Sequence, residues 1–329
     1  MSIRIEQYTG EHLAAWEAFV AASRNGTLFH TRRFLSYHEE GKFTDASLLF
    51  FEEDQLIGVL PAALLQESQG AVLVSHPGAS YGGLVLRTDG GMRETGRIVE
   101  ALQAYLREQH IAEARFLRLT PPSVRRQASD DQEFWLYHGG FRVFRFELAT
   151  SLFLHGEEEE QLLLRYTGKC RNAVRQGSRS GITVGLSEDA TAFWPILEGA
   201  LSERHSTHPT HTLAQFQRLQ ACCPGEVRLL AAFEGTKMIA GIAFVTLHDD
   251  SLYTLYIAQD FAFQHLRPLP LLMHELLKLA VSEHRTVVHF GISTEDAGKT
   301  VNDGLFFFKE SFGGQSVRHE SWQYPPIAS

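Results

Sequence analysis

An internal repeat of element order constrains this fold more than any other feature of the sequence. Residues 51–58 (FEEDQLIG) align with residues 233–240 (FEGTKMIA), and each segment reads as an apolar strand, a short polar turn and a second apolar strand. That is the pattern of a β-hairpin, and each hairpin is followed by a strand, a helix and a further strand. These later elements are predicted at 84–86, 93–110 and 116–119 in the first half, and at 252–257, 271–283 and 287–290 in the second. The repeat predicts two duplicated α/β domains with mixed sheets.

Chain length supports the same division. A chain of 329 residues exceeds the size at which one hydrophobic core stops growing. We expect an N-terminal domain over residues 1–150 and a C-terminal domain over residues 151–329, with the last residues packing back on the first domain. The junction is expected near an acidic run at 157–160. Such a run also suits the start of a helix, where carboxylates favour the helix dipole.

Composition excludes several classes of protein. Hydrophobic residues make up 44% of the chain and charged residues 21%, as in an ordinary globular protein. No apolar run approaches the roughly 18 residues that cross a bilayer, and the N-terminus lacks the pattern of a signal peptide. Three cysteines, two of them adjacent, make a poor disulfide framework, so a cytoplasmic location is expected. The net charge of −9 argues against a surface built wholly for nucleic acid.

A basic helix is predicted over residues 165–179. It carries five cations and no acid: Arg165, Lys169, Arg171, Arg175 and Arg179. Three of the arginines are successive i,i+4 neighbours, which repel one another unless an anion lies among them. Guanidinium groups bind phosphate through two hydrogen bonds, so the pattern favours a phosphorylated ligand or an RNA backbone. The equally weighted alternative is a solvated basic face that pairs with the acidic run.

A second candidate functional segment is the C-terminal run in which three phenylalanines precede Lys309. A lysine at the end of such an apolar stretch either loses its charge on burial or meets an anion. Taken alone, the run is more typical of a core element whose lysine is exposed.

Histidines and glycines give weaker signals. His205, His208 and His211 are spaced as zinc ligands on a helix, but Pro209 interrupts that helix and no metal site is predicted. The glycine-rich segment 78–83, with Tyr81 and Gly82, is either a phosphate-binding loop or, more commonly, a turn between strands. No P-loop, dinucleotide fingerprint or G-x-S-x-G elbow is found.

Taken together, these segments resemble the FemABX-like branch of the GNAT acyltransferase superfamily. The N-terminal part of the resemblance lies at 26–31 (GTLFHT) and 77–83 (PGASYGG). The basic helix contributes RNAVRQ at 171–176, ahead of Gly181-Ile182. The most specific pieces are STED at 293–296 with N-x-G-L at 302–305, and F-K-x-x-F-G at 308–313.

The resemblance implies an α/β protein with two tandem GNAT-like domains and a cleft between them. It implies an acyl- or aminoacyltransferase that uses acyl-CoA or aminoacyl-tRNA as co-substrate, with no permanently bound cofactor. The acceptor would be a small or lipid-linked precursor of the cell wall, and tRNA a partner of the basic helix. Carried over from the family, Arg171 would contact acceptor phosphates, and Lys309 would stabilise the reacting centre or the donor.

Amide formation also requires a proton acceptor and contacts that hold the substrates. The candidate proton acceptors are Asp303, Glu295 and His205. The candidate phosphate or substrate contacts are Arg171, Arg175, Lys169, Tyr81, Gly82 and Arg267. The segment 264–270 lacks the glycines with which ordinary GNAT enzymes bind the pyrophosphate of coenzyme A. That departure leaves a second hypothesis open, a degenerate GNAT pair that binds a ligand without catalysis.

Overall fold

The computed structural model describes residues 2–68, 70–205, 208–248 and 250–325, apart from the side chains of Arg204 and His205. The chain divides into two compact units. Unit 1 comprises Met1–Leu148, Thr294–Thr300 and Val317–Ser329. Unit 2 comprises Ala149–Ser293 and Val301–Ser316. Two short segments from the C-terminal part of the sequence thus belong to unit 1.

Nine strands begin in the first half of the described chain. They are β1 (Ile3–Gln7), β2 (Thr44–Asp45), β3 (Leu48–Glu52), β4 (Gln55–Leu60), β5 (Ala63–Glu67), β6 (Gly70–Ser75), β7 (Val85–Leu86), β8 (Glu113–Phe116) and β9 (Arg142–Phe153). The later strands are β10 (Thr183–Ser187), β11 (Val227–Glu234), β12 (Lys237–His248), β13 (Ser251–Gln259), β14 (Val287–Ile292), β15 (Thr294–Glu295), β16 (Thr300–Val301) and β17 (Gln315–Tyr324).

Ten α-helices lie between these strands in the described chain, in places two in succession. They are α1 (Leu13–Ala22), α2 (Arg32–Leu35), α3 (Met92–Glu108), α4 (Asp131–His138), α5 (Glu159–Arg165), α6 (Gly168–Arg179), α7 (Ala190–His205), α8 (Leu213–Cys222), α9 (Pro268–Ser282) and α10 (Asp303–Glu310). No helix in the described ranges is both long enough and apolar enough to span a bilayer.

Unit 1 contains a four-stranded sheet of order β1-β3-β4-β7 and a second set of strands in which β17 lies beside β8. In that second set, β8 runs parallel to β6, which pairs antiparallel with β5. Helix α3 places Ile98, Leu102 and Leu106 on one face because they recur every four residues, and all three lie in the core of the unit.

Unit 2 is built on the strand order β10-β11-β12-β13-β14, with residues 149–153 of β9 beside β14. The strands from β10 to β13 pair antiparallel, whereas β13 and β14 pair parallel. Helix α9 packs on this sheet through an apolar face that includes Leu272, Met273, Leu276 and Leu277.

The predicted repeat is confirmed by the strand pairing. Residues 51–58 form the β3–β4 hairpin and residues 233–240 form the β11–β12 hairpin, with a bulge in each. The helices predicted at 93–110 and 271–283 are α3 and α9. The strand predicted at 116–119 lies instead at Glu113–Phe116, because the left-handed backbone of Arg118 (φ 48°) interrupts it.

The acidic run lies at the start of α5. Glu158 is the N-cap residue of this helix, and Glu157 pairs with Arg165 at 2.7 Å. The run therefore stabilises a helix terminus, as one of the two sequence-based interpretations holds.

Candidate active site

Strands β13 and β14 separate within unit 2. Their parallel register covers only Ser251–Tyr253 against Val287–His289, although β13 continues to Gln259. The separation begins where Gly291 adopts a left-handed backbone (φ 68°) and the pairing of β14 with β9 shifts register. We call the opening between the two strands beyond this point the notch. Backbone groups that would otherwise pair across the sheet need other hydrogen-bond partners at such an opening.

Lys309 lies on α10, and its side chain reaches the backbone of β14 at the notch. The helix is capped by Asn302, whose side chain accepts a hydrogen bond from the Leu305 amide at 3.0 Å. Lys309 is only 2% exposed, and its Nζ donates to the Gly291 carbonyl at 3.0 Å and the Ile292 carbonyl at 2.9 Å. A third contact joins Nζ to Ser293 Oγ at 2.7 Å.

This burial corrects the sequence-based expectation that the lysine is exposed. The phenylalanine run is helical, so consecutive side chains point in different directions: Phe306 is buried, Phe307 is 59% exposed and Lys309 is buried. Burial lowers the pKa of Lys309 to about 7, because desolvation disfavours the ammonium form.

Three further polar side chains lie side by side at the base of the notch. Tyr253, His289 and Ser151 are direct register partners on β13, β14 and β9, so they share one face of the sheet. The rings of Tyr253 and His289 stack at 5.2 Å. The Gly291 amide donates to His289 Nδ1 at 3.1 Å, so a neutral His289 carries its proton on Nε2. The sequence analysis did not predict this row of three side chains. Its only signal in the sequence is a polar residue within each of three largely apolar strands.

A basic corner forms where α6 packs against the start of α9. Gln176 Nε2 donates to the His265 carbonyl at 3.2 Å, and Arg267 Nε donates to Gln176 Oε1 at 3.3 Å. We call this corner, with the exposed cations Lys169, Arg175 and Arg179 of α6, the anion corner. The alternative of neutralisation by the acidic run fails for these cations, since no carboxylate of the described residues pairs with them.

Arg171 has a different environment from its helical neighbours. It is half-buried, and its Nη1 donates to the Leu163 carbonyl at 3.2 Å, near the end of α5. One part of its guanidinium therefore holds α6 beside α5, and the rest remains available to a ligand.

Helix α9 begins with few amide donors. Pro268 and Pro270 have no N–H group, and the Leu271 amide bonds to the Arg267 carbonyl at 3.4 Å. Of the first four helical residues, only Leu269 therefore offers an amide to a ligand in the described structure. An anion at this helix start would therefore depend on side-chain donors more than on backbone amides.

Gly177 sets how closely α6 approaches α9. A Cβ atom there would lie 2.9 Å from the Arg267 carbonyl oxygen and 3.0 Å from Leu271 Cβ. Gly177→Ala is expected to lower the free energy of unfolding by about 1–3 kcal/mol, since backbone atoms must move to admit the methyl group. The matched control is Gly168→Ala in the same helix, where nothing lies within 4 Å of the added atom and stability should be kept or slightly raised. Urea denaturation measures both variants, and equal effects would show that the close approach is unimportant.

The remaining predicted residues occupy different places. Tyr81 is fully buried in unit 1, with its ring 5.4 Å from Phe29 and 5.2 Å from His319. Gly82 belongs to the same unit and brings its backbone against Ser75, whose carbonyl oxygen would lie 2.2 Å from a Cβ. The glycine segment therefore serves close packing of two backbone segments.

The candidate proton acceptors are also dispersed. Asp303 is exposed at the first position of α10 in unit 2, whereas Glu295 is exposed in unit 1. His205 ends α7, and its side chain lies outside the described residues. His211 Nδ1 hydrogen-bonds the Tyr256 hydroxyl at 2.6 Å. Within the described part of the chain, no group of three histidine, cysteine or acidic side chains is arranged to hold a metal ion.

Comparison with known proteins gives the class to which this architecture belongs. Residues 166–299 match the family described as Acetyltransferase (GNAT) domain. A crystal structure of FemX superposes with a TM-score of 0.74 over 98% of this chain and 97% of that chain, at 14% identity. The L-PGS of Bacillus licheniformis gives a TM-score of 0.59 at 14% identity, covering 98% of this chain and 94% of that one. No curated protein sequence matches the chain.

A tandem GNAT protein from the clavulanic acid biosynthesis pathway also aligns over the full length of both chains, with a TM-score of 0.56 and 9% identity. The fold is therefore that of a tandem GNAT protein, and the predicted α/β class with two GNAT-like domains is confirmed. The resemblance of the sequence to the FemABX-like branch of the GNAT superfamily is confirmed for the GNAT domain over residues 166–299 and, through FemX, for the fold.

Proposed function

We propose that the protein transfers an activated acyl or aminoacyl group to the amine of a phosphate-bearing acceptor. The observation that carries the proposal is the buried Lys309 at the notch, whose Nζ donates to two backbone carbonyls of β14 and has no carboxylate partner among the described residues. Because the donor is already activated, much of the rate would come from positioning of the two substrates.

The residues divide into two groups by position. Lys309 would act at the reacting centre, and the anion corner, with Lys169, Arg175 and Arg267, would bind phosphate together with Arg171. Asp303 and Glu295 stay as candidate proton acceptors at exposed positions, whereas the burial of Tyr81 and the close packing of Gly82 against Ser75 argue against substrate contacts at those two residues.

The start of α9 bears on the nature of the donor. A pyrophosphate bound mainly by backbone amides needs several N–H groups, and two prolines remove them here. A donor held by arginine side chains fits this site better, which favours aminoacyl-tRNA over acyl-CoA as the co-substrate. A lipid-linked or nucleotide-linked acceptor would supply further phosphates for the same cations.

The proposal is tested by thermal denaturation with acetyl-CoA, alanyl-tRNA and a UDP-linked muropeptide, each followed by an assay for acylated product. A ligand at a hundred times its Kd should stabilise the protein by about 2.7 kcal/mol, a rise in Tm of several degrees.

Arg175→Ala should weaken binding of the responding ligand by about tenfold, as expected for loss of a charge-assisted hydrogen bond. The matched control is Arg107→Ala, an exposed arginine of α3 in unit 1. Product from none of the donor–acceptor pairs would contradict the proposal.

A ligand-binding module without catalysis is the second candidate. The amide-poor start of α9 favours it, because a GNAT domain that has lost its pyrophosphate loop has lost one part of its machinery. It predicts a thermal shift with at least one ligand and no acylated product with any donor.

A further inference from the structure

The hydrogen bonds of Lys309 restrict the role that this side chain is able to play. In the ammonium form, all three N–H groups are engaged, with the carbonyls of Gly291 and Ile292 and with Ser293 Oγ. No donor is left to stabilise negative charge that develops on a substrate. A cationic role at the reacting centre would therefore require one of three short contacts to break first.

The uncharged form satisfies the same geometry without a buried charge. Two N–H groups donate to the two carbonyls, and the lone pair of Nζ faces Ser293, whose hydroxyl then donates to it at 2.7 Å. Ser293 Oγ keeps its own lone pairs to accept a hydrogen bond from another group. With Lys309 and Ser293 only 2% and 1% exposed, bulk water is kept from the pair.

The groups around Lys309 do not supply a counter-charge. Tyr253 and His289 lie next to Gly291, one of the carbonyl partners of Lys309, and α10 itself carries the exposed carboxylates of Asp303 and Glu310. Among the described residues, no carboxylate is hydrogen-bonded to or ion-paired with Lys309 Nζ. Desolvation by burial is accordingly the one cause of its lowered pKa.

We propose that Ser293 and Lys309 form a proton relay, in which uncharged Lys309 accepts, through the Ser293 hydroxyl, the proton that the acceptor amine loses on acylation. This inference rests on the proposed function and deepens it. It assigns Lys309 the role of a base in place of the cationic role that the family resemblance implies.

The transfer step replaces one bond to the acyl carbon by another. The amine nitrogen forms a bond to the acyl carbon, and the bond from that carbon to the leaving sulfur or oxygen breaks with its electron pair. The amine proton passes to Ser293 Oγ while the hydroxyl proton of Ser293 passes to Lys309 Nζ. The resulting ammonium returns the proton along the same path to the thiolate or alkoxide that leaves.

The first test reads the charge of Lys309 without any turnover. The full chain is labelled at lysine Cε with ¹³C, and the resonance absent from Lys309→Met is followed by NMR as a function of pH. We expect this resonance to titrate with a midpoint near pH 7, where every exposed lysine remains protonated. A Lys309 that stays protonated up to pH 9 would overturn the relay, whatever reaction the protein catalyses.

The second test asks whether Ser293 transmits the proton. Acetyl-CoA and alanyl-tRNA serve as donors, and hydroxylamine serves as an acceptor amine that is largely uncharged near neutral pH. Ser293→Ala should lower the transfer rate by about 10²–10⁴-fold, and Ser293→Thr, which keeps the hydroxyl, should recover most of it. The wild-type rate should fall as pH drops below 7, because protonated Lys309 accepts no proton.

The outcomes separate the relay from the proposed function. Undiminished transfer by Ser293→Ala, or a rate that falls above pH 7 as a cationic role demands, would overturn the relay and leave the transferase intact. Absence of transfer by the wild-type protein would instead contradict the proposed function, and the NMR titration would still decide the charge of Lys309.

Discussion

Lys309→Met should lower the rate of acyl transfer by about 10²–10⁴-fold, the usual contribution of a positioned proton-transfer group. Methionine keeps the length of the side chain but has no proton to donate and no basic lone pair. The substitution also leaves the carbonyls of Gly291 and Ile292 without the N–H groups that Lys309 supplies. A buried acceptor left unpaired costs about 1–3 kcal/mol, so the variant should also unfold at a lower urea concentration.

The two effects are separated by measuring rate well below the unfolding transition. Lys299→Met is the matched control, because this exposed lysine lies in unit 1 and the same change there should alter neither rate nor stability. Transfer by Lys309→Met at the wild-type rate, with the variant folded by circular dichroism, would remove Lys309 from the reacting centre.

Acid should destabilise unit 1 through two buried histidines. Burial lowers the pKa of both His30 and His76 from 6.5 to about 4, because the neutral ring is favoured away from water. His30 Nδ1 also accepts from the Thr27 amide at 3.1 Å, a bond that a protonated Nδ1 would lose. Between pH 6.5 and pH 4 the unfolded chain binds protons at these rings that the folded chain does not, so stability falls as the pH is lowered.

The expected size of this effect is about 2 kcal/mol for each histidine between pH 7.5 and pH 5. Below pH 4 the folded protein binds the protons too, and this contribution levels off. Urea denaturation at the two pH values measures it. Since His30→Gln and His76→Gln each remove a titrating ring, each should reduce the difference in stability between the two pH values. His138→Gln, at an exposed position of α4, is the control. Equal pH dependence in all three variants would show that the buried rings are not responsible.

The order of strands and helices could be predicted from the sequence because it depends on local patterns of apolar residues. The two hairpins and the helices α3 and α9 follow from alternating and four-residue spacing of apolar side chains, and their predicted positions are confirmed. The strand at Glu113–Phe116 was misplaced because the left-handed backbone of Arg118 has no signature in residue type.

The chemistry of the candidate site depends on contacts between distant segments, which local patterns do not report. Lys309 is buried because α10 lies against the turn that follows β14, 16 residues earlier in the chain at Ser293. The row of Tyr253, His289 and Ser151 exists only once three strands are in register. The cations of α6 were visible in the sequence, but their lack of acidic partners among the described residues was not.

Strand β17 has a consequence for the order in which the chain folds. Its partner in unit 1 is β8, with Trp322 opposite Phe116, and Trp322 belongs to the core of that unit. In the sequence, this part of β17 follows every residue of unit 2. During synthesis, the core of unit 1 therefore stays incomplete, with one edge of β8 unpaired, until the whole of unit 2 has left the ribosome. A fragment that ends at residue 150 should expose that edge permanently and aggregate.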